Sequence, residues 1–407
     1  MNTVTDTYQT HYSRSALNMR ASDIRELLKY TEGRDVISFG GGMPDPAAFP
    51  SGKIAPIIEH VMSSHAADAL QYGCTEGHTK LRRAIAQGMG DLYGVPQDTS
   101  NIVVTSGSQQ ALYFLAKLFL DPGDIVLTES PTFLGAILTF RSFLAEVQGI
   151  SIDEYGMDMT DLEDRLRDLA RQRKRPKFIY TVPTIGNPSG AVMSVERRKR
   201  LIELAAEYDT YIVEDDPYGL LLFDGTRMPL VKSFDDCGSV FYLGTFSKII
   251  APGFRVGWLA APEHVAAKVA VAKQAEDLCT GTFAQHCVFE VMRHNVLLPH
   301  IADIVSLYRR KAGVMQEALK TSMPEGSSWT NIAGGLFAWV TLPESLDTRA
   351  MLPRAMERGV AYVAGDAFFP NGGGRNTMRL NFSFPSEQNI IDGVSTLGAL
   401  MTDAVVR

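Results

Sequence analysis

The sequence predicts an α/β protein with a large domain on a mostly parallel sheet flanked by helices, followed by a smaller α+β domain. Three observations carry this expectation. Strand-like runs between residues 100 and 245 alternate with turns and helical patterns, the order that builds parallel sheets covered on both faces. Beyond residue 300 the pattern changes to short strands among helices. A chain of 407 residues, 45% hydrophobic, has material for about two packed domains.

The elements follow in order. The first dozen residues are polar and read as an arm. SALNMRASDIRELLKYTEG has helical spacing and stops at Gly33, which predicts one helix. VISFGGGMPDP reads as a strand entering a Gly-Pro turn, where Gly40 to Gly42 permit close backbone approach. KLRRAIAQGMGDLYG and SQQALYFLAKLFLDPG read as helices on either side of the strand NIVVTSG. The strands DIVLTES, KFIYTVPT, TYIVEDDPYG and SVFYLGTFS follow, with the helix SVERRKRLIELAAEY between the second and third. Residues 262 to 323 are rich in helical pattern; LFAWVTLP, GVAYVAG and TMRLNFSFP are then three short strands. The expected division is an N-terminal arm with part of the small domain over 1–50, the large domain over 51–300 and the small domain over 301–407.

Composition narrows the function classes. With 39 Lys plus Arg against 46 Asp plus Glu the net charge is −7, which argues against a broad nucleic-acid surface and for a small-molecule ligand. Cys74, Cys237, Cys279 and Cys287 have no metal-knuckle or disulfide spacing. With no apolar signal segment or membrane span in view, the expected location is cytoplasmic and no membrane partner is expected.

Ligands of such sheets bind beyond the carboxyl ends of the strands, and four of those ends carry polar groups. Ser106-Gly107-Ser108-Gln109 opens a helix, which suits an anion or simple capping. Gly186-Asn187-Pro188-Ser189-Gly190 is a rigid turn that fixes the Asn187 amide. Asp215 ends a strand, with the phenol of Tyr218 three positions on. Glu214 to Asp216 could suggest a metal, but no histidine or second acidic cluster accompanies them, and no metal is expected. Last comes GTFSKIIAPGFRVGW. Lys248 is there a candidate nucleophile for an aldehyde cofactor, held as a Schiff base. Arg255, seven residues on, with Thr245 and Ser247, could hold a phosphate on the same cofactor, and Asp215 could face a pyridinium nitrogen.

SKIIAPGFRVGW, VTSGSQQAL, VPTIGNPSG and VEDDPYG, with ISFGGGMPDP, LQYGCTEG and NTMRLNFS, resemble in order the signatures of the fold-type I, class I/II aminotransferases, nearest to the 2-aminoadipate and kynurenine subgroup. The resemblance covers nearly the whole chain. It implies the fold of aspartate aminotransferase, with a large sheet of the seven-stranded type, and pyridoxal 5'-phosphate as cofactor. It implies Lys248 as the catalytic lysine and Asp215 on the pyridine nitrogen. Asn187 and Tyr218 would meet the 3'-oxygen, and Ser108, Gln109, Thr245, Ser247 and Arg255 the phosphate. Arg379 would bind the substrate α-carboxylate, with Asn187 and the Gly41 backbone nearby. Tyr72 would reach the phosphate of a neighbouring subunit, which makes a homodimer.

Two departures stand out. Phe133 replaces the tyrosine that relatives often stack on the ring, and Pro183-Thr-Ile-Gly precedes Asn187 where relatives often carry Pro-Asn-x-x. The implied activity is ping-pong transfer of the amino group of an amino acid (2-aminoadipate-like, aromatic or branched) to a 2-oxo acid such as 2-oxoglutarate. The alternative is decarboxylation, elimination, cyclisation or oxidation on the same scaffold. A DNA-binding regulator built on an aminotransferase-like domain is not expected, since no basic helix-turn-helix is seen. Substrate specificity is expected from Gly40 to Gly42 and the loop Asn18 to Asp23, and Arg20 and Arg25 are expected to face solvent.

Overall fold

In the computed structural model, which describes Tyr8 and residues 10–405, the strand runs become two larger sheets and one two-stranded pair. Much of the polar arm lies outside the described residues. A two-residue strand β1 (Ile37–Ser38) precedes the main sheet. That sheet holds β2 (Ile102–Thr105), β3 (Ile125–Ser130), β4 (Glu146–Asp153), β5 (Gly156–Met157), β6 (Pro176–Thr181), β7 (Tyr211–Asp216), β8 (Val240–Thr245) and β9 (Gly257–Ala260). Their spatial order is β2-β9-β8-β7-β6-β3-β4-β5. From β8 through β4 all neighbours are parallel, β9 runs antiparallel to both β2 and β8, and β5 folds back on β4.

Successive residues of each central strand enter different cores, because side chains alternate across a sheet. Val126, Phe178, Tyr180, Val213 and Phe241 pack on one face with Ala111, Leu112 and Leu115 of the helix Ser108–Phe119. Leu127, Ile179, Ile212 and Val240 pack on the other, with Leu162, Leu166 and Leu169 of the helix Met159–Arg171 and Leu201 and Leu204 of Val195–Glu207. Each such buried leucine contributes about 1.5–3 kcal/mol. With both faces covered, a ligand is left the strand ends.

A second sheet contains β10 (Ser328–Trp329), β11 (Phe337–Thr341), and, after β12 (Val360–Ala361), the strands β13 (Val363–Ala364) and β14 (Thr377–Asn381). It is antiparallel in the order β10-β11-β14-β13. β12 pairs instead in parallel with β1, so GVAYVAG, read as one strand, serves two partners. Between them Tyr362 is buried and donates its hydroxyl to the Thr348 carbonyl at 2.6 Å.

The expected first helix is two, Arg14–Asn18 and Asp23–Thr31. Met19 leaves the helix in extended conformation, Ser22 begins the next one, and the second ends at Glu32, short of Gly33. The strands β4 and β9 were not anticipated.

Candidate active site

The parallel register sets Asp215 opposite Leu243 and Thr181 opposite Glu214, so β6, β7 and β8 release their chains at one rim. Beyond it lies a cavity of about 1430 Å3. Its lining includes Ser108, Gln109, Phe133, Asn187, Asp215, Tyr218, Thr245, Ser247, Lys248, Arg255 and Arg379. These residues are scattered over more than 270 positions in sequence, and the fold gathers them around one space.

Lys248 Nζ donates to the Gly42 carbonyl at 2.6 Å. Burial pulls this amine down to about 8, and the positive charges of Arg379, Arg255 and Arg25 add to the effect. Both causes disfavour the ammonium form, so the free amine is populated near neutrality. Asp215 is buried; its Oδ2 accepts from the Tyr180 hydroxyl at 2.8 Å, while Oδ1 has no hydrogen-bond partner. Burial pushes the carboxyl up to about 7, against the hydrogen bond from Tyr180. Tyr180 is a site residue that the sequence reading missed: one position before the end of its strand, it looked like core.

Arg379 comes from β14 and is almost completely buried. Nη1 donates to Asn187 Oδ1 and Nη2 to the Gly40 carbonyl, both at 2.9 Å, while Nε has no partner. Its guanidinium carbon lies 4.1 Å from the centre of the Phe337 ring. Burial lowers its pKa to about 10. Five N–H groups with two committed here leave donors for a carboxylate. The Asn187 amide also donates to the Tyr218 hydroxyl at 3.4 Å. Burial raises the Tyr218 pKa well above that of free tyrosine, so the phenol stays protonated.

At the other end of the cavity, Gly107 precedes the helix Ser108–Phe119 with φ +79°. A Cβ there would stand 2.5 Å from Arg255 Nη2, so glycine lets the guanidinium lie against the helix start. Arg255 donates to the Ser106 carbonyl at 2.9 Å and to Ser247 Oγ at 3.3 Å, and the Thr245 hydroxyl reaches Ser247 Oγ at 3.0 Å. A guanidinium, three hydroxyls counting Ser108 and a helix N-terminus make a cradle for a phosphate dianion. Gln109 lines the same end, with its amide held by Thr139 Oγ1 at 2.7 Å.

Two expected residues stand outside the lining. Tyr72 is 77% exposed and does not line the cavity of its own chain. Gly41 is buried, and its carbonyl accepts from Asn381 Nδ2 at 2.6 Å; its neighbour Gly42 forms the wall. Thr184 meets the buried Arg198 at 2.9 Å and is likewise not on the wall. Arg20 and Arg25 are exposed, as expected, and they also line the open cavity, with Asn18, Met19 and Ser22. The break between the first two helices brings them there. Glu214 to Asp216 do not converge: Glu214 accepts from the backbone of Val231 and Lys232, and Asp216 from Tyr242 and Gly219.

A buried carboxylate oxygen without a partner, in one cavity with a lysine of lowered basicity and a cradle suited to a phosphate, fits pyridoxal phosphate, and the architecture is that of the fold-type I enzymes that use it. The chain belongs to the aminotransferase class I and II family, whose profile matches residues 36–392. It is 47% identical over 400 residues to aromatic-amino-acid aminotransferase 1 of Thermococcus litoralis, an alignment spanning 98% of this chain and 96% of that protein. It resembles the crystal structure of Pyrococcus horikoshii kynurenine aminotransferase with a TM-score of 0.94 at 44% identity, over 98% of this chain and 99% of that one. It also resembles the α-aminoadipate aminotransferase of Thermus thermophilus, complexed with N-(5'-phosphopyridoxyl)-L-leucine. There the TM-score is 0.90 at 34% identity, over 98% and 99% of the two chains. The chain is a pyridoxal-phosphate-dependent transaminase, and its substrates are amino acids and 2-oxo acids. Among the described residues no helix is long and apolar enough to cross a membrane.

Proposed function

We propose that Lys248 is the catalytic residue of a ping-pong exchange in which an amino acid gives its α-amino group to a 2-oxo acid such as 2-oxoglutarate. The observation that carries this is the Lys248 amine, brought to about 8 and placed in one cavity with Arg379 and the unpartnered Asp215 oxygen. Pyridoxal phosphate, when bound, supplies the aldehyde that takes up the amino group and a ring that takes up the electrons of the α-C–H bond. Lys248 Nζ, as free amine, accepts the α-proton and returns it. Asp215 Oδ1 holds a proton on the ring nitrogen, and Tyr180 orients that carboxylate. Asn187 and Tyr218 donate to the 3'-oxygen, and Phe133 covers a ring face. Ser108, Gln109, Thr245, Ser247 and Arg255 hold the phosphate.

Arg379 receives the α-carboxylate of donor and acceptor alike through its remaining N–H groups, with Asn187 and the Gly41 segment beside it. β14 supports this arrangement, because Asn381 and Ser383 bind the Gly41 and Met43 carbonyls that shape that wall. The donor side chain meets Arg20 and Arg25 next to Met19, Ile24 and Leu28. That mixture of cationic and apolar wall suits a long acidic side chain and an aromatic one, the two kinds named in the relatives above. A homodimer completes the reading, with Tyr72 delivered to the neighbouring phosphate; its exposure, with that of Leu70 (67%), supports a surface covered by a second copy. The two sheets correspond to a large cofactor-binding domain and a smaller domain that carries Arg379. Location in a reducing cytoplasm is supported by four cysteines, all free thiols.

The test is an absorption spectrum of the purified enzyme during addition of single amino acids without any oxo acid. A visible cofactor band that a 2-aminoadipate-like or aromatic donor converts to an ultraviolet one, with release of the matching 2-oxo acid, is the expected result. Conversion accompanied by carbon dioxide, ammonia or peroxide would refute it.

A further inference from the structure

Of eight histidines in the chain, four lie together outside the active-site cavity. His60 and His65 have ring centres 5.5 Å apart, His65 and His286 6.0 Å, and His286 stacks on His78 at 4.3 Å. His60 lies in the helix Ser51–Ser64 and His65 caps its C-terminus; Glu290 reaches them from the helix Thr282–Arg293, which packs against the first. One ligand atom from each of His60, His65 and Glu290 can be chosen so that all three lie within 4.8 Å of one another.

We propose that His60, His65 and Glu290 bind one divalent transition-metal ion of the Zn2+ type. Two imidazole nitrogens and a carboxylate oxygen are the donors that borderline ions prefer, and imidazole disfavours Mg2+ and Ca2+. Three protein ligands and a water complete a tetrahedron. With bonds of about 2.0–2.2 Å, tetrahedral ligands stand roughly 3.4 Å apart, so the cluster needs to contract by little more than 1 Å at its widest separation. Rotation of the half-buried imidazoles supplies that movement.

Glu290 is prepared for the task. It is buried, and the contacts from Arg293 and His294 all fall on Oε2, at 2.6, 2.7 and 3.3 Å. Oε1 is the oxygen left for the ion, while the guanidinium on Oε2 fixes the carboxylate as an outer partner does. The ion would join the C-terminal end of one helix to the last turn of another. Between His65 and Glu290 in sequence lies the segment bearing Tyr72, tied to the second helix by Thr282 Oγ1 and the Gln71 carbonyl at 2.7 Å. The site is structural, a clasp on that segment.

The test uses the tag-free, cofactor-loaded enzyme, stripped with a chelator, incubated with one equivalent of Zn2+ and passed through a desalting column. Wild type should retain one Zn2+ per chain by elemental analysis, and Co2+ in its place should give the visible bands of a tetrahedral nitrogen–oxygen site. Glu290→Gln and His60→Asn should lose both signals while keeping the cofactor absorption band, which reports that each variant is folded. A Cys74→Ser/Cys237→Ser variant should retain the ion. Absence of retained metal in wild type, equal retention in Glu290→Gln and His60→Asn, or loss in the double cysteine variant would each overturn the proposal.

Discussion

Replacing Asp215 with asparagine should stabilise the cofactor-free protein and destabilise the cofactor-bound one, and the two signs test the role of the unpartnered oxygen. The carboxyl stands at about 7 in place of 3.8 because burial opposes its charge. At 1.36 kcal/mol for each pH unit between those values, holding the carboxylate ionised in the cofactor-free fold costs about 4 kcal/mol. The folded state binds the proton more tightly than the unfolded one. The cost is therefore absent below 3.8, grows between 3.8 and 7 and is complete above 7. Asparagine is neutral throughout and still offers the Tyr180 hydroxyl an oxygen. Cofactor-free Asp215→Asn should thus gain up to about 4 kcal/mol at pH 8 but only roughly a third of that at pH 5. With pyridoxal phosphate bound, the variant lacks the charge opposite the ring nitrogen and should lose about 2–5 kcal/mol of cofactor binding. Urea unfolding at the two pH values, with and without cofactor, measures all four quantities. A gain that is equal at pH 5 and pH 8, or no gain at pH 8, would refute the argument that Oδ1 is held charged without a partner.

Three further outcomes follow from the geometry. Arg379→Lys keeps the charge but loses the fork, so kcat/KM for amino acids should fall about tenfold to a hundredfold in steady-state kinetics, with the cofactor band unchanged. Gly107→Ala places a methyl at φ +79° and 2.5 Å from Arg255 Nη2; the fold should lose about 1–2 kcal/mol in thermal unfolding, and the dissociation constant for pyridoxal phosphate, followed by fluorescence titration, should rise. Lys248→Ala and Tyr72→Ala chains should each be inactive or nearly so, but equal amounts unfolded and refolded together should recover about a quarter of wild-type activity. Half of the dimers are then mixed, each with one intact site; no recovery would refute a site shared across a two-fold interface.

Strand and helix succession was legible because the strands of the main sheet are mostly short apolar runs closed by turn residues, and the chemical groups sit where those runs end. Lys248, Asp215 and Asn187 could be found for that reason. β4 could not, since Glu146–Asp153 is buried only at Val147 and Ile150, three positions apart, and so lacks the period-two alternation that marks a strand. β9 was hidden in the motif that follows the cofactor lysine. The break at Met19 to Ser22 replaces an uninterrupted helical pattern, and nothing in the sequence showed that it sets the exposed Arg20 and Arg25 at the cavity as well as in solvent. Tyr180 was invisible for another reason: a tyrosine in a buried strand looks the same whether its hydroxyl meets a backbone carbonyl or a functional carboxylate.

The bond from Arg379 to the Gly40 carbonyl spans 339 residues, and this has a meaning for synthesis. At about 5–20 residues per second, the Gly40 segment leaves the ribosome roughly 17 to 70 s before the arginine that will hold it. Asp215 and the residues from Gly107 to Arg255 are made in that interval, while Gly40 still lacks its anchor. Under the roles proposed above, the groups that would hold the cofactor are thus all synthesised well before the arginine that would take the substrate carboxylate.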